Sequence, residues 1–441
     1  MPEKRLLLEH SGDPSYRSIE GYIAKGGYRA LKKALGMERQ AVIDEVKKSG
    51  LRGRGGAGFP TWIKWNGLPK EKTKPHYVLC NADEGEPGTF KDKELMENTP
   101  HLVIEGMILG GYATQADAGY IYIRGEFVDA GKAIRKAVDE AYEKGFLGKN
   151  ILGSGWDYDI FVHMGAGSYE VGEESAMMSS LMGERGMPRL KFPHVPLPTI
   201  AGLWDCPTLI NNVETFATTP FIIENGGDWY ATMGASTKNS RGTKIFSVSG
   251  HVNKPGNYEI EFGMPLMELL ELAGGMKGGK LKACIPGGSS VPMINAETCE
   301  KAIIGYEELN EVGTMVGSGG CIFLNEHTCI VTFIWRTCLF YARESCGKCT
   351  PCREGTSWLV QVFERIREGG GRKEDIQLLE DICRQIDGRS LCALGDAAAW
   401  PVQGALKAFR EEFEYYIEHG RSIVDTPESR FMLPEALIKL R

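Results

Sequence analysis

The stretch Cys346-Gly-Lys-Cys-Thr-Pro-Cys352 contains three cysteines separated by two residues each, and a fourth, Cys392, follows forty residues later. Three thiolates at this spacing can bind one face of a [4Fe–4S] cluster, and a remote fourth thiolate completes the set. Zinc is the alternative, although its sites usually show two separated cysteine pairs. Cys383 competes with Cys392 for the fourth position, and the spacing does not separate them. We therefore predict an iron–sulfur cluster, which moves single electrons.

Composition describes an ordinary globular protein of two to four domains, with 441 residues, 42% hydrophobic and 25% charged. The net charge of −7 gives no electrostatic reason to expect nucleic acid or an anionic membrane as partner. The N-terminus lacks the apolar core of a signal peptide, and no apolar run is long enough to span a membrane. We therefore expect the twelve cysteines in a reducing cytosol, and membrane association only through a partner.

Strands and helices alternate in the first half of the chain. Apolar or β-branched runs at Tyr77–Cys80, Gly119–Ile123 and Asp159–Val162 predict strands, and helical patterns lie between them at His101–Tyr112 and Gly131–Lys144. Strands that alternate with helices of this length predict a parallel, three-layer α/β domain of Rossmann-like form.

The pattern changes after residue 240. Lys244–Gly250, a turn and Tyr258–Phe262 predict a strand–turn–strand unit followed by a helix at Gly263–Ala273, as in a ubiquitin-like (β-grasp) domain. From Ile330 onward the pattern is helical and predicts a four-helix bundle that carries the cluster. The predicted domains are 1–240, 241–329 and 330–441. The predicted bundle helices are Ile330–Arg343, Ser357–Arg367, Asp375–Ile386 and Ala397–Phe413.

A glycine-rich loop, Gly53-Arg-Gly-Gly-Ala-Gly58, matches the spacing of a dinucleotide fingerprint. The match is weak, because a helical pattern precedes it and Pro60 follows. Four glycines still allow backbone N–H groups to approach a phosphate or a planar ring without a Cβ in the way. Arg54 and Lys64 add positive charge on either side. The alternative is a mobile surface loop.

Polar side chains follow the first predicted strand at Asn81-Ala-Asp-Glu-Gly-Glu-Pro-Gly88. Ligands of open α/β sheets bind at this end of the strands, although a polar turn closed by proline and glycine explains the pattern equally well. Glu173 and Glu174 suit the first turn of a helix. Asn211-Asn-Val-Glu-Thr215 is typical of a helix cap.

In this order the blocks resemble the flavoprotein subunit of respiratory complex I (NADH–quinone oxidoreductase). The matching diaphorase subunits of NAD-linked hydrogenases and formate dehydrogenases share the resemblance, which covers nearly all of the chain. The blocks that carry it are Ser49-Gly-Leu-Arg-Gly-Arg-Gly-Gly-Ala-Gly-Phe-Pro-Thr61, Asn81-Ala-Asp-Glu-Gly-Glu-Pro-Gly-Thr89, Tyr120-Ile-Tyr-Ile-Arg-Gly-Glu126, Asn211-Asn-Val-Glu-Thr215 and Glu344-Ser-Cys-Gly-Lys-Cys-Thr-Pro-Cys-Arg-Glu-Gly355.

The resemblance implies FMN, one [4Fe–4S] cluster and NADH as substrate, with hydride passing to the flavin and single electrons passing to the cluster. It implies that Glu86 is the catalytic residue, which holds the nicotinamide amide, and that the cluster ligands are Cys346, Cys349, Cys352 and Cys392. For FMN it implies Gly53, Gly55 and Gly56 with Lys64, Asn211 and Asn212, and Asn81, Asp83 and Glu84 beside the ring. Phe59, Lys191 and Glu174 match nucleotide-contacting positions, and Arg54, Tyr169, Gly172, Glu173 and Thr215 complete the implied set.

Three segments depart from the family pattern, and all lie on the nucleotide side. Gly67 replaces an aromatic residue, Glu170-Val171 replaces Ile-Cys, and Phe192–Pro198 is longer by about three residues on an alignment by eye. We hypothesise a repacked pocket with weakened or altered dinucleotide binding, since one lost aromatic stack is worth on the order of 1 kcal/mol. Alternatively, Trp62 and Phe192 restore the stacking.

The sequence therefore predicts an NADH dehydrogenase subunit of complex I that passes electrons toward quinone. Two alternatives are a hydrogenase or formate dehydrogenase diaphorase subunit and a relay or assembly subunit that no longer uses dinucleotide. The resemblance implies as partners a small thioredoxin-like [2Fe–2S] subunit and a large multi-cluster iron–sulfur subunit. We expect contact with the membrane arm only indirectly, no nucleic acid, and a cytoplasmic location that is peripheral to the inner membrane through the complex.

Overall fold

A computed structural model describes residues 3–190 and 196–424. The first unit is built on a four-stranded parallel sheet with the order β3-β2-β1-β4. The first three strands confirm the sequence prediction, while the pattern does not predict the fourth, because its last residues suggest only a helix cap. Asn212 does cap the following helix, since its side chain accepts from the N–H of Glu214. The strands are β1 (Tyr77–Ala82), β2 (Ala118–Ile123), β3 (Asp159–Met164) and β4 (Thr208–Asn212).

Helices cover both faces of this sheet, which confirms the three-layer prediction. They are α1 (Ile19–Ala24), α2 (Arg29–Leu35), α3 (Arg39–Ser49), α4 (Thr61–Asn66), α5 (Lys91–Asn98), α6 (Pro100–Ala113), α7 (Val128–Glu143), α8 (Glu174–Leu181), α9 (Val213–Asn225) and α10 (Gly227–Ala231). Helix α6 is buried along its whole length and packs on α9. A Cβ on Gly106 would lie 2.0 Å from the carbonyl oxygen of Phe216, so only glycine permits this close approach. On the other face α8 contributes Met177 and Met178 to a smaller apolar cluster.

The second unit is a five-stranded sheet with the order β6-β5-β9-β7-β8. Its strands are β5 (Thr243–Gly250), β6 (Gly256–Glu261), β7 (Leu281–Ile285), β8 (Ile294–Asn295) and β9 (Gly320–Asn325), and its helices are α11 (Leu266–Leu272), α12 (Ala296–Lys301) and α13 (Tyr306–Glu311). The first two strands form an antiparallel hairpin, and β9 runs parallel to β5 in the centre. This arrangement is the predicted β-grasp, and both the strand–turn–strand unit and the helix after it are confirmed.

The third unit is a helical bundle of α14 (Ile330–Glu344), α15 (Thr350–Arg365), α16 (Asp375–Ile386) and α17 (Leu394–His419). Helix α15 begins earlier than the predicted start at Ser357, because Pro351 occupies the first turn, where its fixed φ favours a helix and its missing N–H costs nothing. The cysteine run therefore ends inside the first turn of α15. No helix in the described part of the chain is long and apolar enough to cross a membrane.

A buried charge network joins the first unit to the second. Glu214 in α9 is fully buried and accepts from Lys91 Nζ at 2.8 Å and from Lys244 Nζ at 3.3 Å. It also accepts from the backbone N–H of Ile245 at 2.8 Å. Burial alone would raise the pKa of Glu214, but Lys244, Lys91 and Arg54 outweigh it and hold that pKa below its usual value. The junction between the units is thus held by ion pairs that water does not reach.

Candidate functional site

A cleft of about 390 Å³ opens where the three units meet. The glycine loop and the carboxyl ends of β1 and β4 line it from the first unit, which is where ligands of parallel sheets bind. The second unit contributes Ser290 and Ser318, and the third contributes Cys392 and Trp400. One cleft therefore joins the predicted flavin loop to one of the predicted cluster ligands.

The glycine loop presents backbone to this cleft. Gly55 and Gly56 line it, and a Cβ on Gly55 would lie 3.1 Å from Cβ of Asn212. Gly56 has φ of +149° and Gly58 has φ of +61°, conformations that side chains rarely allow. The N–H of Gly53 is already used, because it donates to the carbonyl oxygen of Phe59 at 2.8 Å and closes the loop. The close approach expected of the loop therefore rests on Gly55 and Gly56, and Gly53 does not line the cleft.

Arg54 corrects the expectation of positive charge beside the loop. Its side chain is fully buried and turned away from the cleft. The guanidinium donates to the carbonyl oxygens of Thr243 at 3.1 Å and Arg241 at 2.7 Å and to the hydroxyl of Tyr230 at 3.1 Å. The backbone N–H of Arg54 donates to Thr215 Oγ1 at 2.9 Å. Both residues therefore fix the loop from behind.

Two further implied residues, Lys64 for FMN and Phe59 for the dinucleotide, stand at the side of the cleft rather than in its walls. Lys64 Nζ lies 3.5 Å from Glu174 Oε2 and donates to the carbonyl oxygen of Ile210 at 3.3 Å. Phe59 is 46% exposed, which leaves its ring free to contact a ligand from outside. Lys191, which the resemblance also implies, lies outside the described residues.

Three polar residues follow β1 into the cleft. Asn81 donates from Nδ2 to the carbonyl oxygen of Gly172 at 2.8 Å, which ties β1 to the turn before α8. Both oxygens of Glu84 accept backbone N–H groups at the start of α5, so this carboxylate mainly supports the helix. Asp83 Oδ2 is buried and has no hydrogen-bond partner among the described residues. A ligand with a donor group, such as the N–H of a flavin ring, would satisfy that oxygen.

Glu86 is held in place by donors from several sides. Tyr169 Oη donates to its carboxylate at 2.5 Å, and the N–H of Ser290 donates at 2.7 Å. Ser289 Oγ is a longer contact at 3.4 Å. Burial nevertheless raises the pKa of Glu86, and these hydrogen bonds only partly counter it. Each oxygen of this carboxylate therefore already accepts from a protein donor, which fixes its orientation in the cleft.

The remaining implied residues stabilise the cleft walls. Glu173 is the N-cap of α8 and accepts the N–H groups of Ser175 and Ala176, each at 3.0 Å. It thus lies one residue before the first turn, whereas Glu174 is in the first turn as expected. Asn211 Oδ1 accepts from Trp65 Nε1 at 2.9 Å, so Asn211 faces the helical layer rather than the cleft. Asn212 lines the cleft and donates to Asp92 Oδ2 at 2.7 Å.

Several residues of the walls give no signal in the sequence. Lys91 and Asp92 are buried and form an ion pair of 2.7 Å at the cleft, but in the sequence they are ordinary charged residues at a helix start. Ser290 and Val291 follow a glycine-rich stretch that predicts no more than a turn, and Trp400 lies in an ordinary helical pattern. Their place in the site follows from tertiary structure alone.

The predicted cluster cysteines surround a second, small cavity at the start of α15. Cys346, Cys349, Cys352 and Cys392 all line it. The N–H of Leu391 donates to Cys349 Sγ at 3.4 Å, and Ser345 Oγ lies 3.2 Å from Cys352 Sγ. Hydrogen bonds of this kind tune the potential of a cluster. Four thiols around one cavity, with an N–H donor to one sulfur and a hydroxyl beside another, fit an iron–sulfur cluster.

The structure separates the two candidates for the fourth ligand. Cys383 is fully buried in the bundle core on α16 and does not line the thiol cavity, whereas Cys392 does. Burial raises the pKa of Cys352 to about 12 and that of Cys392 to about 11. A metal centre bound here would lower the pKa of both thiols, because its positive charge stabilises the thiolates.

The departures on the nucleotide side are partly visible. Gly67 ends α4, and a Cβ there would lie 3.1 Å from the carbonyl oxygen of Ile63. The ring of Trp62 lies beneath Lys47 Nζ, at 4.8 Å, and packs against the core instead of lining the cleft. Phe192 lies outside the described residues. Trp62 therefore does not provide the replacement stack in this conformation.

Three protein-family models match the chain, one in each unit. The Nuo51 FMN-binding domain matches residues 46–220, and the SLBB domain matches residues 244–316. The NADH-ubiquinone oxidoreductase-F iron-sulfur binding region matches residues 332–416.

Relatives match over nearly their whole length. The F subunit of NADH-quinone oxidoreductase of Rickettsia bellii is 48% identical over 94% of this chain and 99% of its own. The Mycobacterium bovis protein of the same name is 47% identical over 97% of each chain. NADH dehydrogenase [ubiquinone] flavoprotein 1 of Dictyostelium discoideum is 47% identical over 90% of this chain and 83% of its own. A solved NAD+-reducing [NiFe]-hydrogenase chain is similar with a TM-score of 0.80 and 32% identity, over 89% of this chain and 65% of that one.

Proposed function

Because this chain belongs to the family of NADH-quinone oxidoreductase F subunits, we propose that its three-unit cleft is where NADH is oxidised. The protein is the NADH dehydrogenase flavoprotein subunit of complex I and carries FMN and one [4Fe–4S] cluster. FMN supplies a two-electron hydride acceptor that can release electrons singly, and the cluster carries them away one at a time. The protein's own task is therefore to position the reactants.

The observation that carries this proposal is that one cleft has Gly55 and Cys392 in its walls. The first belongs to the loop whose backbone can approach a phosphate or ring, and the second to the four thiols that surround the cluster cavity. A flavin in the cleft would lie directly beside the cluster. Electrons would then need no mobile carrier between the two groups.

Each cleft residue receives a role in this proposal. The N–H groups of Gly55 and Gly56 and the side chain of Asn212 bind FMN, with Asp83 and Asn81 beside its ring. Glu86 accepts the nicotinamide amide, and the hydrogen bonds from Tyr169 and Ser290 fix its orientation. Arg54 and Thr215 hold the loop from behind, and Lys64 serves FMN from the side of the cleft. The residues that serve the dinucleotide at the entrance are Glu174, Phe59 and Lys191. Cys346, Cys349, Cys352 and Cys392 bind the cluster.

Membership of complex I implies association with other subunits of that complex. We propose a small thioredoxin-like [2Fe–2S] subunit beside the flavin unit and a large multi-cluster iron–sulfur subunit as the next electron acceptor. Electrons would reach quinone through these chains, so the contact with the membrane arm is indirect. The protein would then be cytoplasmic and peripheral to the inner membrane.

The similarity to a hydrogenase chain supports an alternative, in which this subunit performs the same chemistry as part of a hydrogenase. This chain spans 99% and 97% of two relatives named as F subunits, but 65% of the hydrogenase chain. That contrast in coverage favours complex I.

An anaerobic titration tests the site. The FMN-loaded protein is mixed with NADH and, separately, with NADPH, and the flavin absorbance is followed. We expect bleaching at near-stoichiometric NADH and a much weaker response to NADPH, because Glu174 would repel the additional phosphate. If dithionite reduces the flavin while neither nucleotide does, the cleft does not use dinucleotide and the relay alternative is correct.

A further inference from the structure

Two carboxyl groups in the cleft have no cationic partner among the described residues. Asp83 follows β1, and Glu170 lies in the turn before α8; both line the cleft. Asp83 Oδ2 is buried without a hydrogen-bond partner among the described residues. Glu170 is 6% exposed and accepts one side-chain hydrogen bond, from Ser168 Oγ at 2.6 Å. Within the described ranges neither carboxyl group forms a salt bridge.

The other four acids that line the cleft have protein partners. Asp92 pairs with Lys91 and accepts from Asn212, and Glu173 caps α8. Glu84 accepts backbone N–H groups at 2.9 and 3.1 Å with its two oxygens. Glu86 accepts from Tyr169 and Ser290. Burial raises the pKa of Glu84 and of Glu86, but these donors oppose the shift because they favour the ionised form. Asp83, by contrast, has a buried oxygen without a protein donor, and Glu170 has a single side-chain donor. Of the acids that line the cleft, these two have the fewest protein donors among the described residues.

The charges around the pair do not favour two carboxylates at once. Arg124 is the charge that most favours the ionised form of Asp83, but its guanidinium already donates to the carbonyl oxygen of Glu84 and to Glu126. Burial raises the pKa of Asp83 to about 7 and also raises the pKa of Glu170. The charged and titratable groups that face the pair are Arg124, Glu126, Tyr122, Arg185 and Glu344, and of these only the two arginines are cationic.

We propose that Asp83 and Glu170 together hold one proton beside the flavin and deliver it when the flavin is reduced. The hydride from NADH carries two electrons and one proton, so a neutral reduced flavin needs one more proton. The pair supplies it and changes from one carboxylic acid and one carboxylate to two carboxylates. When the two electrons leave singly for the cluster, two protons leave the flavin; one returns to the pair and the other goes to water. This inference rests on the proposed function, because it needs FMN in the cleft.

Infrared difference spectroscopy on the FMN-loaded full chain tests the proposal. The spectrum of the dithionite-reduced protein minus that of the oxidised protein should show the loss of a protonated-carboxyl band. The band should be absent in Glu170→Gln and in Asp83→Asn and should return in Glu170→Asp. Glu184→Gln is the matched control, because that carboxylate is 64% exposed, pairs with Arg189 and does not line the cleft, and it should retain the band.

The outcomes separate this inference from the proposed function. If the wild-type spectrum shows no loss of a protonated-carboxyl band on reduction, the pair carries no proton and the proposal is wrong. The wild-type protein alone decides this point, so a variant that fails to fold does not affect it. If the band is lost on reduction in wild type but persists in both variants, another group is the donor, which also overturns it. Failure to bind FMN, or failure of NADH to bleach it, would instead refute the proposed function.

Discussion

Replacement of Glu214 by glutamine tests the junction between the first two units. The carboxylate is fully buried and faces the ammonium groups of Lys91 and Lys244 at 2.8 and 3.3 Å. Removing one partner of a buried ion pair typically costs about 3–5 kcal/mol, because the remaining charges stay buried without compensation. Burial lowers the pKa of Lys244 to about 7, so it can shed its proton easily in the variant. We therefore expect the lower end, about 3 kcal/mol.

Thermal unfolding of the FMN-free chain measures this loss. With an unfolding entropy of about 2.1 cal/mol/K per residue, a loss of about 3 kcal/mol lowers the midpoint of a chain this long by about 3 °C. Glu224→Gln is the control on the same helix, because its carboxylate is 40% exposed and 3.8 Å from Arg29, and such pairs are worth about 0–1 kcal/mol. Equal midpoints for the two variants would refute the view that the network holds the units together.

The pH dependence has a definite sign. The pKa of Glu214 is lower in the folded protein than its ordinary value of 4.5. The contribution of Glu214 to the free energy of unfolding is therefore complete above pH 4.5. It is lost as the pH falls through the pKa of the folded protein. The difference in unfolding midpoint between wild type and Glu214→Gln should therefore become smaller as the pH is lowered. A difference that grows in acid would contradict the assignment of a carboxylate to this position.

Four further variants test the site. Cys392→Ser should abolish the cluster signal in electron paramagnetic resonance, whereas Cys383→Ser, in the bundle core, should retain it; the reverse result would exchange their roles. Gly55→Ala should weaken FMN binding about tenfold or more, measured by fluorescence, because the added Cβ lies 3.1 Å from the cap of α9 and intrudes where backbone meets ligand. Tyr169→Phe removes a hydrogen bond to Glu86 worth about 1.5–3 kcal/mol, so KM for NADH should rise more than kcat falls. An unchanged KM would show that Glu86 does not need this support.

Local patterns predict most of the elements but not the direction of individual side chains. The spacing of the cysteine run predicts the cluster, because two residues between successive cysteines allow three thiolates to bind one face of the same cluster. The choice between Cys383 and Cys392 needs the tertiary structure, since the spacing does not separate them and only packing decides which faces the cavity. Arg54 is a second example. The sequence shows its positive charge, but the four protein acceptors that turn its guanidinium away from the cleft are contacts made only in the folded chain.

The unpredicted strand β4 has a related explanation. Its five residues, Thr208–Asn212, are too few to show alternation, and the two asparagines at its end are typical of caps. Pairing with β1 across residues 77–81 makes it a strand, and that contact is remote in sequence. The carboxyl end of this strand places Asn212 in the cleft.

Because the cleft is shared among three units, its chemistry depends on how firmly they meet. Lys91 illustrates the dependence: it lines the cleft, yet its ammonium pairs with Glu214, which in turn accepts from Lys244 and Ile245 of the second unit. A weakened junction would therefore move a cleft wall as well as lower stability. The bundle carries Cys392 into the same cleft, so the distance from flavin to cluster depends on the same packing. Ionic and hydrogen-bonded contacts that water does not reach suit this task, because they tolerate little displacement before a buried charge loses its partner.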